Sequence, residues 1–219
     1  EVLKEILTQV HPVRDILFSR GPMDVLDHAS ERFAEGGKMG IDATKKNDNI
    51  LLIPRASISD LEKIEGVLEI NDEFIQQNLG LLIIRLKKSK NIARKVSREL
   101  FDKQLIENIK FVIYIEEVAD INAHADTVWR VANNSDPNRD CFYIYDNHDK
   151  PYSTLFVDGL RKDKICDDFD REWPNIVCMD EATIDLVDAK WKEYGIGEFI
   201  TSPSLKYRGQ LYDGEAVAL

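Results

Sequence analysis

Cysteine is scarce in this chain of 219 residues: only Cys141, Cys166 and Cys178, widely separated and without a CxxC pair. An odd, scattered set builds neither a disulfide framework nor a thiolate metal site, and it suits a reducing cytoplasm, the location expected here. Long apolar runs are missing too. LGLLII (79–84) and FVIYI (111–115) fall far short of the ~20 residues that cross a bilayer. The amphipathic, acidic start EVLKEILTQV is unlike a signal peptide. Cations are outnumbered, 29 Lys and Arg against 40 Asp and Glu, and the net charge of −11 argues against nucleic acid as a partner.

Several motifs are absent as well. GGKMGIDATKK (36–46) looks at first like a phosphate loop, but Met39 follows Lys38 where GxxxxGK[ST] needs a hydroxyl. No strong strand is predicted before Gly36 and no helix after Thr44, so the backbone N–H groups of a helix start are not on offer. GxGxxG is missing. Gly36, Gly37 and Gly40 are expected to allow a tight backbone path that carries Lys38 over a surface. DHAS (27–30) lacks the GxSxG elbow that would expose Ser30 as a nucleophile. His28 stays a candidate acid–base group, with a surface or capping role as the plainer alternative. Asp146, His148 and Asp149 read as a solvated turn more readily than as a metal site, and no metal site is predicted.

With 43% hydrophobic residues the chain can bury one good core or two small ones. LGLLIIRL (79–86) reads as a strand buried on both faces. SKNIARKVSRELFDKQLIEN (89–108) has Ile92, Val96, Leu100, Phe101 and Leu105 at helical spacing behind a serine start. KFVIYIEE (110–117) is a second buried strand; AHADTVWRVANN (123–134) is a helix ended by Asp136–Pro137, and CFYIY (141–145) is a third strand. This order predicts an α/β fold with a mostly parallel, doubly wound, three-layer sheet. Glu116 and Glu117 stand at a carboxyl strand end, where such folds place ligands, or cap the next helix. Residues 85–110 carry nine Lys and Arg against three acids, which reads as a solvated face or a subunit contact.

A repeat organises the rest. Without gaps, HPVRD (11–15) falls on DPNRD (136–140) and ILFS (16–19) on CFYI (141–144). Nine residues out of that register, IDATKK (41–46) lies opposite VDGLRK (157–162). The expectation is a duplicated unit: a partial first copy at 1–46, a connector with short strands at 47–77, a complete second copy at 78–196 and an extended tail at 197–219. The strand–helix–strand that opens the first copy is expected to lie before Glu1. Shared features read as framework, so Arg14 and Arg139 should pin their turns, which also hold Asp15 and Asp140, through carboxylates or carbonyls. MDEATIDLVDAKWKEYG (179–195) reads as a helix capped by Asp180 and stopped by Gly195. The apolar residues of the tail, Phe199, Leu205, Tyr207, Leu211 and Tyr212, are expected to bury against a neighbouring domain or subunit.

GPMDVLDHASERFAEGGKMGIDATKK (21–46), with EEVADI (116–121), DPNRD, VDGLRKDK (157–164) and REWP (171–174), resembles the carboxyl-terminal signature of the UbiD-type carboxy-lyases. The longer, menaquinone-associated members are the nearer likeness, and GEFITSPSLKY (197–207) also looks like theirs. The resemblance implies a non-oxidative decarboxylase using prenylated FMN with a divalent metal. Cofactor and catalytic glutamate–arginine–glutamate set would then sit in an upstream flavin-binding domain of the same protein, with no catalytic residue in this chain. The region in hand would wall the active-site cleft and build a homo-oligomer. Active-site-edge roles carry over only to Lys38 and Asp42, with His28 nearby, because the second copy has Thr154-Leu155-Phe156 and Gly159-Leu160 in the motif's place. Alone, the chain is expected to be inactive and to hold no flavin. Two other readings stand beside this one. The first is a free-standing module binding a small molecule at the carboxyl ends of strands 79–86 and 110–116, and the second is an assembly domain.

Overall fold

The computed structural model describes residues 2–46, 52–146, 148 and 152–212. Its elements run α1 (Val2–Gln9), β1 (Ile16–Pro22), β2 (Glu35–Ile41), β3 (Arg55–Ala56), α2 (Ile58–Leu61), β4 (Val67–Asn71), α3 (Glu73–Gln76) and β5 (Leu81–Leu86). Then come α4 (Ile92–Asp102), β6 (Ile106–Glu107), β7 (Phe111–Glu116), α5 (His124–Asn134), α6 (Pro137–Asp140) and β8 (Cys141–Phe142). The chain continues through β9 (Leu155–Asp158), α7 (Lys164–Asp167) and α8 (Glu181–Tyr194) to a 3₁₀-helix, Pro203–Gln210. Two compact units result, 1–171 and 172–219. The division falls inside the 78–196 span.

A five-stranded sheet, ordered β4-β5-β7-β9-β8, is the centre of the first unit. β5, β7 and β9 are parallel, and the antiparallel β4 and β8 close the edges. Alternation along β5 divides the core. Leu82, Ile84 and Leu86 face one cluster with Ile92, Val96 and Leu100 of α4, while Leu81 and Ile83 face another with Leu7 and Val10 from α1 and its end. Val131 of α5 packs on that second cluster. Helices therefore cover both faces. Tyr114, fully buried, shares its hydroxyl with Ser97 at 2.7 Å, which keeps both buried hydroxyls bonded.

Three expectations are corrected. CFYIY is not the third parallel strand. LFVD (155–158), with three consecutive buried residues, takes the place beside β7, and Cys141–Phe142 adds a short antiparallel edge. The 89–108 helix is only Ile92–Asp102. Asn91 at φ 58° and Gln104 at φ 53° leave the helical region at either end, and Leu105 folds back so that its N–H bonds Leu100 O at 2.8 Å. Ser89 supplies its carbonyl to Ile92 N–H, so the serine start is a backbone contact. Finally, GGKMG is not a loop but a strand, β2, paired antiparallel with β1 in a separate two-stranded sheet.

Within 172–219, α8 matches its sequence signals. Asp180 accepts from Thr183 N–H at 2.8 Å, and Gly195 stops the helix at φ 62°. Trp191 donates Nε1–H to Gly197 O and meets Phe199 edge-on at 5.6 Å. Residues 47–51 of the connector, Asp149 of the acidic turn and residues 213–219 of the tail lie outside the described residues.

Candidate functional site

The β1–β2 hairpin and its long connection, 23–34, carry the signature residues, and α6 and its turn hold them in place. The two Pro-x-Arg-Asp turns have the same bonding. Arg14 grips Asp15 with Nε–H and Nη2–H at 2.8 and 3.0 Å; Arg139 grips Asp140 at 2.9 and 2.7 Å. In each turn that aspartate also accepts the N–H four residues back, His11 and Asp136, both at 2.8 Å. Such forks fix a turn rather than act on a substrate. Their surroundings differ. Arg14 holds the Asp15 carboxyl down at about 2, whereas burial pushes Asp140 above the usual carboxylate value against the pull of Lys162 and Arg139.

A second matched set follows each hairpin. Asp42 accepts Thr44 N–H at 3.0 Å and pairs with Lys46; Asp158 accepts Leu160 N–H at 3.0 Å and pairs with Lys162 at 3.1 Å. Lys162 is buried, and its ammonium also reaches Asp140 Oδ1 at 3.4 Å and Leu160 O at 2.7 Å. Asp42 is thus held by a lysine four residues on, and its carboxyl is lowered by Lys46 and Thr44. The Asp-x-x-x-Lys spacing at 42–46 and again at 158–162 was the overlooked signal for this pairing.

Three further residues make contacts that the sequence did not reveal. Asp136 accepts the N–H of Gly37 at 3.0 Å, Asn138 donates to Ser19 O at 2.8 Å, and Arg171 donates to Ser30 O at 2.7 Å. Gly37 is required here, since a Cβ would lie 2.8 Å from Asn138 N. Arg139 adds Ala29 O at 2.8 Å, so α6 and Arg171 together bolt the 27–31 segment down. Ser30 is buried, its hydroxyl donating to Glu35 O at 2.5 Å, which fits a structural hydroxyl and not a nucleophile. His28 is half-buried, and burial lowers its pKa, with Arg171 adding to the effect and Asp27 opposing it. Its neutral imidazole is a fit proton acceptor at neutral pH.

Lys38 is exposed and stands opposite Ser19, its stem crossing Gly21. Along an extended strand, four residues separate its backbone from that of Asp42 by roughly 13 Å, and the Asp42 carboxylate is already engaged by Thr44 and Lys46. At Gly37 an anion is disfavoured, because the outward N–H already faces the Asp136 carboxylate, while the Lys38 and Gly40 amides turn to the β1 ladder. Among the described residues no three His, Cys, Asp or Glu side chains gather for a metal. At Asp146 the carboxylate accepts His148 N–H at 2.8 Å, as in a turn.

A cavity of about 830 Å³ opens at the amino ends of the parallel strands, lined by Leu7, His11, Gly80, Lys110, Tyr152 and Thr154. The carboxyl end of β7 is closed instead, since Glu116 is buried in a pair with Arg130 of α5. The basic stretch is largely internal bracing: Arg85 pairs with Glu69, Lys88 with Asp167, Lys103 with Glu99, and Arg94 lies 4.2 Å over the Phe142 ring. No described helix is long and apolar enough to cross a membrane.

Comparison with known proteins adds the following. Residues 1–43 match the family profile described as the 3-octaprenyl-4-hydroxybenzoate carboxy-lyase C-terminal domain, UbiD_C. An uncharacterised protein of Helicobacter pylori J99 is 31% identical over 168 residues, 72% of this chain and 25% of that protein. One of Aquifex aeolicus is 54% identical over 46 residues, 21% of this chain and 10% of that protein. The chain thus spans about a quarter, or less, of the curated relatives it matches. Among solved structures, the vanillic acid decarboxylase of Sedimentibacter hydroxybenzoicus in closed form is similar at 16% identity and a TM-score of 0.46, covering 64% of this chain and 31% of that one. An evolved dimeric form of the UbiD-class enzyme HmfF from Pelotomaculum thermopropionicum, in complex with prFMN, is similar at 14% identity and 0.40, covering 57% and 28%. Residues 1–43, which take in the Arg14–Asp15 turn, the β1–β2 hairpin and Asp42, are thus the part of the chain that is similar to the UbiD-type carboxy-lyase C-terminal domain.

Proposed function

We propose that this chain is part of the carboxyl-terminal region of a non-oxidative decarboxylase of aromatic or unsaturated acids, one that serves quinone biosynthesis in the cytoplasm. The observation that carries the reading is the family match over residues 1–43, the segment that presents His28 and Lys38. Prenylated FMN with its divalent metal, and the glutamate–arginine–glutamate set, belong in this reading to an upstream flavin-binding domain of the same protein. That cofactor supplies the electron sink when bound. The residues here wall the cleft. Lys38 presents an ammonium to an incoming carboxylate, and His28 stands ready to accept a proton at its rim. Asp42 contributes by fixing Lys46 at the end of β2.

The matched turn bonds and the matched Asp–Lys pairs support reading the chain as two copies of one doubly wound unit, the second specialised for packing. The 55% exposed Phe199 and 43% exposed Leu211 support an assembly role for the tail in a homo-oligomer. Deleting residues 200–219 should reduce the oligomeric state, read from the mass in solution, and lower the melting temperature.

The decisive experiment has two arms. In the longer protein, Lys38→Ala should lower decarboxylase turnover without shifting the melting temperature. Isothermal titration of the chain alone with FMN should give no binding. A dissociation constant near or below about 1 μM, roughly −8 kcal/mol, would overturn the assignment of the cofactor to the upstream domain.

A further inference from the structure

We infer that the outer edge of β2 and the open face of the β1–β2 hairpin are the seat of a strand–helix segment from the longer polypeptide, with its strand pairing in parallel to β2. This rests on the reading above that more of the same protein precedes the chain. The template lies within the molecule. β9 has β8 on one side and β7 on the other, with Leu155 N–H on Lys110 O at 2.8 Å and Gly159 N–H on Tyr114 O at 3.0 Å. The pair Cys141↔Val157 in β8–β9 corresponds to Ile16↔Ile41 in β1–β2, at the two offsets that the sequence repeat defines. β2 has β1 on one side and, among the described residues, no strand on the other.

The backbone of β2 is aimed for such a partner. Gly37 N–H bonds Asp136, so it points away from β1, and ladder alternation points Met39 and Ile41 N–H the same way. These two stand where Leu155 and Val157 stand in β9. The face above repeats the pattern. Phe142 and Phe156 stack at 5.5 Å beneath α4, with Arg94 over Phe142. Leu17 and Gly40 occupy the same register positions, yet Leu17 is 71% exposed and a Cβ on Gly40 would meet nothing within 4 Å.

A row of open donors beside an uncovered leucine is what a sheet lacks when its neighbour strand and covering helix are elsewhere. The occupant is therefore an apolar strand like FVIYIE (111–116) that leads into α1 as β7 leads into α5, with a helix over Leu17. Its direction follows from β7 and β9, which are parallel. A second copy pairing β2 with β2 about a twofold axis would run antiparallel and leave Leu17 uncovered.

Residue-resolved hydrogen exchange tests this on the longer protein and on the 219-residue chain. Met39 and Ile41 amides should exchange roughly 100-fold or more slowly in the longer protein, while Leu155 and Val157 are protected in both. Leu17→Asp should lower the melting temperature of the longer protein and leave that of the chain unchanged. Equal, fast exchange of Met39 and Ile41 in both proteins overturns the inference. So does protection in the chain that rises with its concentration, the mark of a second copy. Flavin binding and turnover are read in the same preparation. Their absence would remove the decarboxylase reading and leave the exchange result standing.

Discussion

The β1–β2 and β8–β9 hairpins are built on one plan and stabilised in two ways. Both begin at an Arg–Asp fork, pair in the same register and end at an Asp–Lys bridge. β8–β9 is set into a five-stranded sheet, with Phe142 and Phe156 beneath a helix and Lys162 buried among oxygens. β1–β2 stands outside that sheet, half-covered, and is held by polar contacts from Asp136, Asn138 and Arg171. The same turn chemistry is therefore core structure in one hairpin and a surface clasp in the other. Signature residues His28 and Lys38 sit on the clasped copy, where a neighbour can reach them.

The largest test of that contrast is charge removal at the forks. Asp140→Ala takes the buried carboxylate from Arg139, which keeps Glu31, and from Lys162, which keeps Asp158, and should cost about 3–5 kcal/mol. Asp15→Ala should cost only about 1–2 kcal/mol, because the Arg14 side chain, 46% exposed, regains water. Urea unfolding of the two variants measures both. Equal losses would mean that the forks are equivalent after all.

Next in size is the clasp itself. Gly37→Ala drives a methyl against Asn138 N and the Asp136 carboxylate, and overpacking of that kind costs about 1–3 kcal/mol. The corresponding residue of the second copy is Ser153, an exposed side chain with a 3.4 Å approach to His11. Ser153→Ala should fall within about 0.5 kcal/mol of the parent. If the two substitutions cost the same, the hairpin is not docked through Gly37.

How much of this was legible depended on the range of the signal. α5 and α8 were readable because Asp136–Pro137 and the Asp180/Gly195 pair act on their own helix ends. The repeat located both forks for the same reason. β2 was not readable. Three glycines in seven residues have poor strand propensity, and the strand exists because β1 pairs with it and Asp136 needs room at Gly37. β9 was hidden behind a stronger apolar run, CFYIY, and only the sheet decides which run sits beside β7. At the site, Lys38 and His28 were legible by type. The bracing of their segment by Arg139 and Arg171 spans more than a hundred residues and left no local trace.

Acid titration sharpens the fork comparison further. Asp15 has its folded carboxyl depressed to about 2 by Arg14, below the usual carboxylate range. Its contribution to stability is complete above about pH 4 and disappears as pH falls through about 2. Asp140 runs the other way. Burial raises its folded carboxyl, so it takes up a proton earlier on acidification, and that uptake favours the folded state as pH drops. Carboxyl-carbon NMR of the chain should show Asp140 titrating before Asp15. The reverse order would contradict the burial difference between the copies.

The smallest expected effect is at Leu17, and its smallness is the point. In the second copy the same register position holds Phe142, buried at 7% exposure under α4, and Phe142→Ala should cost about 3–5 kcal/mol. Leu17 is 71% exposed, with Gly40 across from it, so truncation removes little apolar area from contact. Leu17→Ala in the chain alone should leave the urea midpoint within about 0.5 kcal/mol of the parent. A loss above about 1.5 kcal/mol would show that Leu17 already packs on something, and the hairpin would then be complete without a further strand and helix. A null result here, beside a large one at Phe142, leaves the two hairpins alike in backbone and unlike in what covers them.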